Sequence, residues 1–348
     1  MSQNPRSSLK LALSNIQIII SRQLLKMKGL ILQVSPFLED MNRILYIIAL
    51  AVMAASCIGT KTAQCGRHGM LDEKGWYVTK DITPSESDGK VYMISEHGAS
   101  TCYLVVGRSR AMLIDAGIGV GNLTALVDSL TKLPLIVVNT HGHPDHVGAD
   151  YQFSEVWMPE RDTAVYRSMN PLATPDLMAY VESNAGSFKY EKSVVERNIG
   201  DIRNYSPFKI RLFNAGQTWD LGGKIIRTVE LGGHTPGSMM FMDDADGILF
   251  SGDALNGYLW MWLDHSLPLE EYEKNLAAAI PEIGHLKRIF GGHEFRPEGV
   301  EIYQAERMLK DVRTVLAGEI EPVKMPKPLG GEGTVNVYRF GTWLLWAK

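Results

Sequence analysis

The chain is expected to fold as an α+β protein in which two sheets pack face to face with helices on the outside. Three observations predict this. Short β-rich runs alternate with helical patterns from about Trp76 onward, those runs fall into two sets, and no shift in composition marks a linker between the sets. A single domain over residues 76–348 is the corresponding reading.

The first set opens with three closely spaced strands, Val91–Ser95, Thr101–Val106 and Ala111–Asp115, separated by Gly-containing turns as in a meander. Leu123–Leu130 places apolar residues at helical spacing, and Leu135–Asn139 is an apolar strand running into a polar loop. Strand, helix, strand and loop in that order put the loop at the strand's C-terminal end, where α/β folds commonly bind ligands. Glu155–Pro159 is a further strand and Asp162–Met169 a helix, while residues 170–208 read as short helices and loops. Lys209–Phe213, Lys224–Leu231, Ser238–Met242 and Ile248–Phe250 form the second β-rich set. After it come an aromatic loop at Tyr258–His265, an amphipathic helix at Glu270–Ile280 and a short strand at Arg288–Phe290. A helix at Ile302–Leu316 and an alternating β pattern over Thr334–Trp346 close the chain.

Among the 348 residues, 45% are hydrophobic and 21% charged, as in an ordinary soluble globular protein. A net charge of −4, with Lys and Arg scattered, excludes a phosphate-tracking stripe, so nucleic acid is not an expected partner.

The N-terminal part follows other rules. Met41-Asn42-Arg43, an apolar run from Ile44 to Ala55 and the small-residue exit Ser56-Cys57 have the form of a secretory signal. Such a run is too short to span a membrane as a helix. Ala54-Ala55-Ser56-Cys57 looks like a bacterial lipobox, which would put a lipid on Cys57 as the only membrane contact and place the exported protein in the periplasm or at the cell surface. Residues 1–40 are then an upstream extension outside the fold, 41–57 the signal, and 58–75 a tether. Of the other cysteines, Cys102 falls in an apolar strand-like run that favours a buried free thiol, and a Cys65–Cys102 disulfide is permitted but not required. The absence of a CxxC pair argues against a redox dithiol or a cysteine zinc knuckle.

The segment that carries chemistry is Thr140-His141-Gly142-His143-Pro144-Asp145-His146. Three imidazoles and a carboxylate in one short loop after a buried strand are costly to bury without a metal. They are the donor set of zinc and of first-row metals generally. Three more segments repeat one design: an apolar strand stops at glycine and offers a donor. They are Gly232-Gly233-His234-Thr235, Phe250-Ser251-Gly252-Asp253 and Phe290-Gly291-Gly292-His293.

With these four segments the chain resembles the metallo-β-lactamase superfamily, whose pattern is His-x-His-x-Asp-His followed by His, Asp and His. The resemblance covers roughly residues 88–320 and implies a four-layer αββα sandwich with metals at one edge of the sheets. It also implies two zinc ions per chain. One would be held by His141, His143 and His234, the other by Asp145, His146 and His293, with Asp253 bridging both. The implied activity is hydrolysis by a hydroxide shared between the metals, with Asp145 as the catalytic carboxylate that orients it and moves its proton.

The largest group of zinc β-lactamases has cysteine where this chain has Asp253. The aspartate, and Gly292-His293-Glu294-Phe295, resemble the glyoxalase II and lactonase branches instead. The expected substrate is therefore a small molecule with an ester-like bond: a lactone, a thioester or a related carbonyl compound. A phosphodiester is the alternative, since the same dimetal site suits phosphoryl chemistry. Iron-dependent persulfide oxidation is a further alternative, because the first metal's ligands suffice for one iron. Of the remaining histidines, His68 and His285 read as surface residues. His265, on the aromatic loop, could wall the substrate pocket, and His97 could sit on a loop over the site. Apolar residues between Met169 and Tyr180 suggest a lid for an acyl chain or a homodimer contact, against a plain surface insertion.

Overall fold

The computed structural model describes residues 77–96, 100–119, 121–169, 208–328 and 332–348. Its contacts divide the chain into Met1–Ala63 and Gln64–Lys348, and every described residue belongs to the second unit. The expected signal, the expected lipid-bearing Cys57 and the expected tether lie outside the described residues, as do His68, His97 and, apart from Met169, the residues suggested as a lid. Among the described residues, no helix is long and apolar enough to cross a membrane.

The first sheet has seven strands in chain order: β1 (Tyr77–Asp81), β2 (Lys90–Glu96), β3 (Ser100–Val106), β4 (Ala111–Ile114), β5 (Leu135–Val138), β6 (Glu155–Pro159) and β7 (Lys209–Phe213). Strands β2 to β4 form the expected antiparallel meander, β1 adds an antiparallel strand at its edge that was not expected, and Leu104 faces Leu113 across β3 and β4. From β4 onward the sheet is parallel, with Ile114 opposite Val138. The β4–β5 crossover carries helix α1 (Leu123–Leu130). Asn122 caps α1 by accepting the Ala125 N–H, and Leu123, Leu126 and Val127 fall on its buried face at helical spacing.

The second sheet has the order β14-β13-β11-β10-β9-β8, where β8 is Thr218–Asp220, β9 Ile225–Glu230, β10 Met239–Asp243, β11 Ile248–Gly252, β13 Arg288–Gly291 and β14 Val300–Glu301. Its inner face meets the first sheet through Met239, Phe241, Ile248, Phe250 and Phe290 packed with Val91, Met93, Tyr103, Met112 and Ile114. The outer face packs on α4 (Leu269–Ile283) and α5 (Gln304–Leu316) through Tyr272, Leu276, Ala279, Met308 and Val312, among others. The outer face of the first sheet lies under α1. Two further helices, α2 (Pro144–Val147) and α3 (Thr163–Met169), lie between β5 and β7. Helix, sheet, sheet and helix give the expected αββα sandwich, with Cys102 a buried free thiol inside it.

Two assignments differ from expectation. Lys209–Phe213, expected with the second β-rich set, is β7 and pairs in parallel with β6 at the edge of the first sheet. The aromatic segment after Asp253 is not a loop throughout: Tyr258–Met261 is strand β12. It belongs to a third sheet, β12-β17-β16-β15, with β15 at Val323–Pro326, β16 at Thr334–Phe340 and β17 at Trp343–Ala347. The pairing partner comes from some eighty residues away, Trp260 opposite Trp346 in parallel register, which a local pattern does not signal.

Candidate metal centre

Strand direction gathers the donors at one edge. Strands β11 and β13 run parallel with Phe250 opposite Phe290 and Gly252 opposite Gly291, so Asp253 and His293 emerge side by side. The parallel pair β4 and β5 likewise brings Asp115 beside the Thr140–His146 loop. Pro144 opens α2 directly after His143, where a missing N–H costs nothing, and the turn presents Asp145 and His146 together. His234 sits on the loop between β9 and β10.

The seven side chains singled out in the sequence converge. His141, His143 and His234 offer ligand atoms within 4.8 Å of one another, as do His141, His146 and Asp253, and as do Asp145, His146 and His293. Asp253 lies between the groups. Its Oδ2 is 3.6 Å from His234 Nε2 and 3.1 Å from His293 Nε2, and its Oδ1 is 3.6 Å from His146 Nε2. Asp145 Oδ2 stands 3.6 Å from His146 Nε2 and 3.5 Å from His293 Nε2. The side chains of Asp145 and His293 remain about a quarter exposed while His146 is fully buried, so the second group faces the opening.

The outward nitrogens fix the tautomers of His141, His146 and His234. His234 Nδ1 donates to the Trp260 carbonyl at 2.7 Å, which leaves Nε2 as a bare lone pair. The Thr140 hydroxyl donates to Asp115 Oδ2 at 2.8 Å, so its oxygen accepts from His141 Nδ1 at 3.0 Å and His141 Nε2 is the lone pair. His146 Nδ1 donates to the same Asp115 Oδ2 at 2.9 Å, and His143 Nε2 meets His265 Nε2 at 2.7 Å. The inward nitrogens then crowd together: His141 Nε2 lies 3.0 Å from His143 Nδ1, and His234 Nε2 lies 2.9 Å from the same atom. His146 Nε2 is buried without any hydrogen-bond partner. Two lone pairs thus converge on His143 Nδ1, which carries at most one hydrogen to share between them, and a cation among these atoms would satisfy them all, so the residues fit a metal.

The electrostatics agree. Burial, reinforced by neighbouring imidazoles, holds His141 and His143 well below the usual histidine range, and burial also lowers His234. All three are thus neutral, the form that ligates. Burial opposes charge on His146 and His293 too, but carboxylates overcome it. Asp145, Asp253 and Asp115 raise His146 well above the ordinary value, and Asp253 raises His293. Burial disfavours charge on Asp253, yet His293 and His146 hold its carboxyl well below the usual range.

Asp115 was not among the expected site residues. It is buried at φ 64°, a left-handed conformation that aspartate tolerates better than most residues, and it also accepts the Thr140 N–H at 2.7 Å. The signal for it was present: Ile114-Asp115-Ala116-Gly117 is another apolar strand that stops at a carboxylate beside glycine. His265 lies at the site, half-buried against His143, whereas His285 is a surface partner of Asp244.

Comparison with known proteins agrees with this geometry. A family profile described as "Metallo-beta-lactamase superfamily" matches residues 96–307. The chain is 25% identical over 258 residues to "Acyl-coenzyme A thioesterase MBLAC2" of Homo sapiens, covering 65% of this chain and 84% of that protein. The Bos taurus protein of the same name is 26% identical over the same shares. Among solved structures, a metallo-beta-lactamase family protein from Thermus thermophilus matches with a TM-score of 0.45 and 21% identity, over 69% of this chain and 81% of that one.

Proposed function

The chain belongs to the metallo-beta-lactamase superfamily, and from that footing we propose that it is a dinuclear zinc hydrolase that cleaves acyl thioesters. The observation that carries the metal reading is the convergence of seven donors, with the His141 and His234 lone pairs meeting at His143 Nδ1 and His146 Nε2 left without a partner. The thioester is favoured over other ester-like substrates by the similarity to proteins named acyl-coenzyme A thioesterase.

In this reading His141, His143 and His234 would hold one ion and Asp145, His146 and His293 the other, with the Asp253 carboxylate, which lies between the two groups, available to either. When bound, the ions supply Lewis acidity toward the acyl oxygen and lower the pKa of water toward neutrality. Asp145, beside His146 and His293 and a quarter exposed, orients the attacking water and takes its proton. Water adds to the acyl carbon, the C–S bond breaks, and the proton carried by Asp145 goes to the departing sulfur. Asp115 keeps the His146 ring turned toward the centre throughout.

The sequence Ala54-Ala55-Ser56-Cys57 supports a separate proposal, that the protein is exported and anchored through a lipid on Cys57. The similarity suggests the thioester bond and fixes no particular thiol carrier. The test is hydrolysis of a panel of acyl thioesters, aryl esters, lactones and phosphodiesters by zinc-loaded protein. Thioesters cleaved at least tenfold more efficiently than the other classes support the reading, and a preference for lactones or phosphodiesters overturns the substrate assignment.

A further inference from the structure

The three-histidine group is assembled from two loops far apart in sequence, and something must hold them in register. We propose that Asp162 is the positioning residue of that subsite, a clamp that belongs to neither loop and fixes both. The inference rests on the metal reading above and concerns a residue to which that reading gives no role.

Asp162 ends a 3-10 turn, Glu160–Asp162, directly before α3, and is fully buried. Its Oδ2 accepts the N–H of Gly142 at 2.7 Å, and Gly142 is the residue between His141 and His143. Its Oδ1 accepts the N–H of Gly237, also at 2.7 Å, three residues after His234. One rigid, planar group therefore receives a backbone donor from each loop, each within three residues of a histidine. Hydrogen bonds to a charged acceptor are the strong kind, and burial strips away competing water.

The glycines at both contacts agree with a clamp. A Cβ on Gly142 would lie 2.7 Å from Tyr166 N and 2.9 Å from Asp162 O, and a Cβ on Gly237 would lie 2.8 Å from Asp162 N. Both loops thus press backbone to backbone on the segment that carries Asp162. The Met239 N–H also donates to the Thr140 carbonyl at 2.8 Å, but this joins the loops at their strand ends. Asp162 holds them where the imidazoles project. The need is specific to this subsite, because His293 is delivered by a parallel strand pair and His146 is held by Asp115.

The test compares the full chain with Asp162→Asn, which replaces one acceptor oxygen by an NH2 group facing an N–H. Amide exchange is followed in metal-free protein at Gly142 and Gly237. Zinc affinity is measured by chelator competition, and cobalt is used to report coordination at each subsite. The clamp predicts exchange at least tenfold faster at one or both glycines. It also predicts a loss of roughly 10- to 100-fold in affinity at the three-histidine subsite. The Asp145–His146–His293 subsite should change less than threefold, and the cobalt spectrum of the first subsite should be altered. Unchanged exchange, or an equal loss at both subsites, overturns the proposal. If Asp162→Asn does not fold, exchange in the metal-free parent chain decides the matter. Gly142 and Gly237 N–H groups protected at least tenfold over neighbouring loop amides then support the clamp, and exchange as fast as theirs refutes it. Failure of the wild-type chain to bind metal would sink the metal reading instead, and the exchange result would still decide whether Asp162 fixes the loops.

Discussion

Replacing Gly292 by alanine perturbs the centre without substituting any candidate ligand. The added Cβ would stand 2.5 Å from Asp253 Oδ1 and 2.5 Å from His146 Cε1, where ordinary contact begins at 3.4 Å. Each neighbour would have to retreat by about 0.9 Å, the difference between those two distances, and neither can do so freely. His146 is fixed by its bond to Asp115 and Asp253 by the Asn256 amide at 3.0 Å. A misplacement near 1 Å at reacting groups costs on the order of 100-fold in rate. Overpacking of this kind costs about 1–3 kcal/mol of stability. Gly292→Ala is therefore expected to remain folded, to lose about two orders of magnitude in kcat/KM for thioester hydrolysis, and to bind metal more weakly where Asp253 and His146 meet. Steady-state kinetics beside metal analysis and thermal denaturation measure all three. Activity within threefold of the parent, with full metal content, would show that these side chains are not the working ligands.

Other consequences follow from the same geometry. Asp145→Asn keeps the shape but removes the base, so turnover should fall by about 10²- to 10⁴-fold; full activity with metals retained would take Asp145 out of the mechanism. Metal uptake should also depend on pH in a subsite-specific way. His146 and His293 have raised pKa values and must give up protons to ligate, so affinity at their subsite rises with pH and binding releases protons near neutrality. His141, His143 and His234 have lowered pKa values and are already neutral there, so their subsite releases few. Calorimetric titration in buffers of different ionisation enthalpy separates the two steps, and equal proton release at both would contradict the assignment. Finally, buried Glu96 accepts the N–H groups of Ile118 at 2.7 Å, Gly119 at 3.2 Å and Gly121 at 3.2 Å. Glu96→Gln deprives at least one of them of its acceptor and should cost about 1–3 kcal/mol in chemical denaturation; a change below about 0.5 kcal/mol would mean that the loop is held otherwise.

The sandwich was legible in the sequence because its strands are local in character. Val-, Ile- and Leu-rich runs such as Leu135–Val138 and Ile248–Gly252 stand out as continuous apolar stretches, and Leu123–Leu130 carries its own cap and helical spacing. The third sheet was not legible. The expected aromatic loop at Tyr258–Met261 becomes a strand only because Leu344–Ala347 arrives beside it, and Val323–Pro326 is largely exposed, with little alternation to mark it. The convergence of the seven donors was legible because so many imidazoles and carboxylates at strand ends have few uses other than a shared site, and their ligand atoms do come together. The residues that steer the ligands were harder to see. Asp115 followed the strand-to-glycine pattern but stood alone in its segment. Asp162 acts on backbone N–H groups far away in sequence, and the carbonyl of Trp260 that fixes His234 has no side-chain identity at all.

The most direct test of the central claim is elemental analysis of the purified full chain, read together with thioester hydrolysis by the same sample. Two zinc ions per chain, with hydrolysis lost on chelation and restored by zinc, is the predicted result. A single iron per chain, or hydrolysis that survives complete removal of metal, would contradict it.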